Sequence, residues 1–137
     1  MFDREGDGAI DNGRELLGRA VEGMLGRNWP TAGWNGFTAL AMFDRPEWGG
    51  NGDGALTSAD SVFARLRVWV DGNHDGVSQP EELLTLEQAG IERIDLTSHG
   101  VRRRDGHGNV FRYRASVRFS NGKRGTMWDV YLKVVLQ

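Results

Sequence analysis

The sequence predicts an α+β fold: helices separated by polar loops over residues 1–98, then a small antiparallel sheet over 99–137, packed together as one domain. Two observations carry this. Apolar residues recur at helical spacing through the first part and at a period of two through the second. The charge layout divides at the same place, since residues 1–98 hold eight Lys+Arg against 17 Asp+Glu and residues 99–137 hold nine against two, within an overall net charge of -2.

Taken in order, Leu16, Leu17, Ala20, Val21, Met24 and Leu25 form one stripe and predict an amphipathic helix over residues 14–25. Residues 26–36 carry turn residues and two tryptophans, which reads as a loop pinned by aromatic anchors. A short helix follows over about 36–43, with Phe37, Leu40 and Ala41 inward. Ser58 suits an N-cap for a helix over residues 58–70, whose stripe is Val62, Phe63, Leu66, Trp69 and Val70. Pro80 suits the first turn of another, with Glu81 and Glu82 at its positive end and Leu83, Leu84 and Leu86 on its core face. Gly90 stops it.

Beyond Gly90, Ile94 and Leu96 mark a strand. Phe111, Tyr113, Ala115, Val117 and Phe119 then alternate with Arg112, Arg114, Ser116 and Arg118, the pattern of a half-buried strand. Asn121-Gly122 is a hairpin turn. A last strand over about 126–136 places Trp128, Val130, Leu132 and Val134 on one face.

Composition narrows the function classes. The chain of 137 residues is 39% hydrophobic, enough for one compact core. With no cysteine, disulfides, thiolate metal sites and cysteine nucleophiles are excluded. No apolar run approaches the roughly 20 residues that span a bilayer, so the expectation is a soluble chain with no membrane partner. No signal-peptide pattern opens the sequence, and any secretion signal is expected to have been removed or to lie in a parent protein.

The acidic residues cluster where a hard cation could use them. A calcium loop of the EF-hand pattern needs oxygens at positions 1, 3, 5, 7, 9 and 12 and glycine at 6. Residues 71–82 (DGNHDGVSQPEE) meet each demand: Asp71, Asn73 and Asp75, the Val77 carbonyl, Gln79 directly or through water, and Glu82 as the bidentate twelfth ligand. In a second loop Asn51, Asp53 and Gly54 match positions 3, 5 and 6, Ala55 and Thr57 match 7 and 9, and Asp60 matches 12. Position 1 then falls on Gly49, and Asp44 can supply the missing carboxylate if residues 45–50 bulge outward. A first loop has Asp3, Glu5 and Asp7 at 1, 3 and 5, Gly8 at 6 and Ala9 at 7. Its twelfth residue is Arg14; a loop one residue longer closes on Glu15, with Asp11 as an extra ligand. The plain alternatives are an empty polar turn for the second loop and a solvated acidic terminus for the first. The expected cofactor is Ca²⁺, two or three ions.

The segments DREGDGAIDNGRELLG (3–18), NGFTALAMFD (35–44), GGNGDGALTSAD (49–60), FARLRVWVDGNHDGVSQPEELLTL (63–86), GIERIDL (90–96) and GNVFRYRASV (108–117) resemble EF-hand-type calcium modules of secreted bacterial proteins. Such modules include domains beside repeat-in-toxin and FG-GAP repeats. The resemblance implies a helix-loop-helix calcium half, a longer first loop closing on Glu15, an inserted second loop after Asp44, and a secreted or cell-surface location. A related self-processing toxin module cleaves an Asp-Pro bond after calcium-induced folding. That activity does not carry over, because the three prolines here follow Trp29, Arg45 and Gln79. That module's upstream strand with another Asp-Gly-Asp cluster is also absent from the sequence in hand, which suggests a trimmed fragment.

The leading expectation is a calcium-stabilised structural or interaction module, not an enzyme: His74, His99 and His107 form no triad, metalloprotease helix or phosphate loop. The alternative is a calcium-dependent self-assembly or adhesion protein whose basic face, with Arg102, Arg103, Arg104, Arg112, Arg114 and Arg118, meets an acidic partner or another copy of the chain. Nucleic acid is disfavoured, since no recognition motif accompanies these arginines. A calmodulin-like sensor is disfavoured too, with only four methionines to build an exposed groove.

Overall fold

The computed structural model describes residues 1–2, 7–11, 15–17 and 35–134. Helix α1 (Gly36–Phe43) forms where the sequence predicts it. The Asn35 side-chain oxygen caps it, accepting the Phe37 and Thr38 N–H groups at 2.9 and 3.1 Å and satisfying donors that a first turn leaves unpaired. Phe37, Ala39, Leu40, Met42 and Phe43 are buried. The Gly36 N–H donates to the Asp129 carboxylate at 3.0 Å, fastening the start of α1 to the sheet.

That sheet contains β1 (Ala55–Leu56), β4 (Ile91–Asp95), β5 (His99–Arg104), β6 (Val110–Phe119) and β7 (Arg124–Tyr131), all pairs antiparallel. The long strand β6 organises it. β7 follows β6 from Val110↔Tyr131 to Arg118↔Arg124, while β5 and β4 pair with its first and last residues respectively. Ala115 and Val117 of β6 are buried while Arg112, Arg114, Ser116 and Arg118 are exposed, the alternation the sequence predicts. Gly122, with φ 81°, makes the turn into β7, which ends at Tyr131 rather than running on to 136.

The α+β expectation of an EF-hand-like helix-loop-helix half with three loops is overturned, because the described residues are mostly β with one short helix and two antiparallel sheets. Residues 58–70 make one 3₁₀ turn at Phe63–Arg65 and then extend as β2 (Arg67–Trp69). After Pro80 the chain makes another 3₁₀ turn, Pro80–Glu82, and extends as β3 (Leu83–Thr85). β2 and β3 form the second sheet, Trp69 opposite Leu83 and Arg67 opposite Thr85. The physical reason lies in length: apolar runs of four or five residues satisfy a helical and an extended period alike. Val68, Trp69 and Val70 favour the pleated surface, and pairing satisfies the backbone groups of both arms at once. The helix expected over residues 14–25 lies largely outside the described residues; of it, 15–17 are bends.

Phe2, Leu40, Phe43, Leu56, Val62, Leu66, Leu86, Ile94 and Leu96 form the core. It sits where α1, the two sheets and the N-terminal residues meet. Phe2 bridges to Leu66, and the Met1 carbonyl accepts the Arg67 N–H at 2.9 Å.

Two outcomes follow. Leu56 is 0% exposed, and Leu56→Ala is expected to cost about 2–5 kcal/mol, read from a urea melt. The hairpin between β5 and β6 is tied by Asp105, whose carboxylate accepts Asn109 Nδ2 at 2.7 Å and the Asn109 and His107 N–H groups at 2.9 Å each. The Asn109 side-chain bond first, then these amides, hold its carboxyl below the ordinary 3.8. The tie is therefore complete at neutral pH and is lost as pH falls through that lowered pKa. Protection of the His107 and Asn109 amides, taken relative to their intrinsic exchange at each pH, should fall in acid and in Asp105→Ala should be low at every pH.

Candidate metal centre

The third loop, residues 71–82, spans β2 to β3. The backbone first dictates its shape. Asp71 sits at the end of β2 and gathers amides from across the loop: its Oδ1 accepts the Asp75 N–H at 3.2 Å and its Oδ2 the Gly76 N–H at 3.1 Å. Asn73 Oδ1 accepts the same Asp75 N–H at 2.9 Å, and Asp75 Oδ1 accepts the Val77 N–H at 2.8 Å. Gly76 takes φ 74°, a conformation that favours glycine.

Glu82 closes the ring from the far arm. Its Oε1 accepts the Gly72 N–H at 2.9 Å and its Oε2 the Trp69 indole N–H at 3.2 Å. Ligand oxygens of Asp71, Asp75 and Glu82 thereby lie within 4.8 Å of one another, and this is the group of three or more acidic or histidine side chains so gathered among the described residues. Asp75 is held below the ordinary carboxylate range by the Val77 N–H and then by the Gln79 amide. The Gln79 Nε2 donates to Asp75 at 2.7 Å, whereas its Oε1 is buried without a hydrogen-bond partner. A buried acceptor with no donor and three converging carboxylates fit a hard cation. An all-oxygen set suits Ca²⁺, Mg²⁺ or Mn²⁺ rather than thiolate-seeking metals.

The second loop repeats this framework. Asp44, just past the end of α1, accepts the Gly52 and Asp53 N–H groups on Oδ1 at 3.0 and 3.2 Å and the Gly54 N–H on Oδ2 at 2.9 Å. Asn51 Oδ1 accepts the Asp53 N–H at 3.1 Å, and Asp53 Oδ1 accepts the Ala55 N–H at 3.0 Å. Apart from the Gly52 bond, these are the bonds of the third loop, position for position. The left-handed residues coincide too: Gly52 and Gly54 at φ 73° and 82° stand where His74 and Gly76 stand at 62° and 74°. Asp44 thus occupies the first position, with residues 45–50 looping outward around the 3₁₀ turn Pro46–Trp48. Gly50 approaches the Asp44 backbone so closely that no Cβ would fit.

Asp60 is 2% exposed and accepts the Asn51 and Thr57 N–H groups at 3.1 and 2.8 Å. Asp44, Asp53 and Asp60 are therefore linked through backbone amides, not gathered oxygen to oxygen as in the third loop. Ala55 and Leu56, at positions 7 and 8, form β1 and enter the main sheet.

Of the first loop, Asp3 and Glu5 lie outside the described residues. Asp7 Oδ1 accepts the Ala9 N–H at 2.9 Å and Gly8 takes φ 82°, matching the fifth to seventh positions of the other loops. Glu15 is 2% exposed, and its Oε2 accepts the Asp11 N–H at 2.9 Å. The closing acid of the longer loop thus turns inward beside Asp11.

Two contributors escape sequence reasoning. Trp69 orients Glu82 through its indole. Ser78, at the eighth position of the third loop, clasps Ile10 at the eighth position of the first: the Ile10 N–H donates to Ser78 Oγ at 3.1 Å and Ser78 Oγ donates to the Ile10 carbonyl at 2.8 Å. Their shared loop position is the one signal that could have found the clasp.

Residues 1–133 match the SPM domain family. One relative is iron-regulated protein FrpA of Neisseria meningitidis serogroup C, 38% identical over 133 residues, an alignment covering 95% of this chain and 11% of the relative. The chain thus spans about a tenth of that protein's length.

Removing the clasp should be measurable. Ser78→Ala deletes both bonds to Ile10 and is expected to cost about 1–3 kcal/mol in a urea melt. Ser78→Thr, which keeps the hydroxyl, is expected to recover most of it.

Proposed function

Because the chain belongs to the SPM domain family, in a stretch that is a small part of a much longer relative, we propose that it is a calcium-binding structural module of a secreted bacterial protein, set in its fold by the ion. The observation that carries this reading is the convergence of Asp71, Asp75 and Glu82 within 4.8 Å. Three like charges so placed repel one another, and a divalent cation turns that repulsion into attraction.

The loops would hold the ions through the residues the sequence singles out. In the third these are Asp71, Asn73, Asp75, the Val77 carbonyl, Gln79 and Glu82. In the second they are Asp44, Asn51, Asp53, the Ala55 carbonyl, Thr57 and Asp60, and in the first Asp7, the Ala9 carbonyl, Asp11 and Glu15 with Asp3 and Glu5. An ion in the third loop joins β2 to β3, and one in the second joins the end of α1 to β1, so each ion would fix elements that the short strands alone hold weakly. Outside the cell, calcium at affinities of roughly 10⁻⁴–10⁻³ M keeps such a module folded. His74, exposed on the rim of the third loop, has no part in this role, which is binding rather than catalysis.

The test is calcium titration calorimetry with thermal melts in calcium and in chelator. Each occupied site is expected to add about 2.7 kcal/mol when free calcium is a hundredfold above its dissociation constant. Glu82→Gln should abolish one site, and Asp44→Ala a different one. A melting curve that chelator does not move would refute the reading.

A further inference from the structure

The arginines of the sheet are not one basic face. Arg118 pairs with Glu92 at 3.3 Å. Arg103 and Arg114 lie over Trp128, with ring-centroid distances of 5.6 and 6.0 Å, and Arg103 also covers Phe111 at 5.4 Å. Arg102, Arg103, Arg104 and Arg112 line an open groove of about 800 Å³ beside β5, floored by Val101 and Tyr113. Among the described residues none of these four guanidiniums forms an ion pair or a hydrogen bond.

Strand β5 bounds this groove and pairs with β6 along one edge; among the described residues its other edge is open. We propose that the open edge of β5 and the arginine groove beside it dock an extended acidic segment of a partner polypeptide. An added strand would take the unpaired backbone N–H and C=O groups of β5, as edge strands do with incoming chains. Arg102 and Arg104 both line the groove, and residues two apart along an extended chain stand about 6.5–7 Å from each other. Carboxylates on alternate residues of an added strand have that same spacing, and each can meet a guanidinium fork.

Charge selects this occupant over others. Two copies joined through β5 would set arginines against arginines, which is destabilising. The acidic loops of a second copy are poor ligands, because Asp44, Asp60, Asp71 and Asp75 already accept their own backbone amides. A phosphodiester strand could pair with the guanidiniums but has no amide ladder to offer the edge.

The test uses the full chain in saturating calcium and a labelled peptide alternating glutamate and threonine, followed by fluorescence anisotropy. Two controls are a peptide of equal charge with proline at the residues whose N–H would face β5, and an oligothymidylate of equal charge. Saturable, salt-sensitive binding is expected, weakened at least about tenfold by Arg102→Glu with Arg104→Glu and by proline in the peptide. Circular dichroism and the calcium stoichiometry of the charge-reversed variant should be unchanged, since both side chains are exposed and unpaired. The proposal is overturned if the proline peptide or the oligothymidylate binds as tightly, or if charge reversal leaves binding intact. Absence of binding at low salt also overturns it; the arginines then only guard an edge against aggregation.

Discussion

A single carboxylate collecting backbone amides shapes the second loop and the third, and the rest of the structure hangs on that arrangement. Asp71 and Asp44 each stand at the first position and accept N–H groups from the fifth and sixth residues of their loops. Those bonds fold the chain back on itself, and in the third loop the carboxylates of Asp71, Asp75 and Glu82 converge. Glycine or a tolerated left-handed residue at the fourth and sixth positions makes the reversal sterically accessible. What emerges from each loop then follows. The second delivers Ala55 and Leu56 into the main sheet, and the third returns the chain antiparallel to β2.

Mounting these loops on strands changes what an ion does. Helical arms pivot about a loop, and their angle can change with occupancy. Paired strands have less freedom: the register Trp69↔Leu83, extended by the Val70 N–H bond to the Glu82 carbonyl at 2.9 Å, keeps both arms antiparallel. The cation proposed for this loop would then hold a hairpin shut, not swing a lever. The Ser78 clasp and the Phe2 bridge to Leu66 tie the first loop to the third at both ends. Closing one of them therefore bears on the other.

The loops were legible as turns because Asp, Asn and Gly stand at fixed steps in 44–60 and 71–82, where the reversal needs side-chain acceptors and left-handed residues. Strands β6 and β7 were legible because their alternation runs long enough to exclude a helix, β4 because Ile94 and Leu96 alternate just past the stop at Gly90, and α1 because its apolar residues are dense. β2 and β3 were not. Their runs are too short to separate one period from the other, and the partner that makes each a strand lies elsewhere in the chain. β5 hid for another reason: a row of exposed arginines interrupted by a bulge carries no alternation. The clasp at Ser78 and the indole bond from Trp69 depend on which loops and arms become neighbours, and pairwise placement of that kind is absent from local pattern.

Residues 45–50 leave the second loop immediately after its first position and return before its third, with residues 45–49 exposed. Gly49 and Gly50 pin the return, the carbonyl of Gly49 accepting the Ser61 N–H and hydroxyl at 3.0 and 2.8 Å. Asp44 thus belongs to the centre through space while being detached from it in sequence. The detour is a natural splice point: a tag or an entire small domain grafted between Arg45 and Trp48 would ride on the loop while leaving its hydrogen-bonded positions in place.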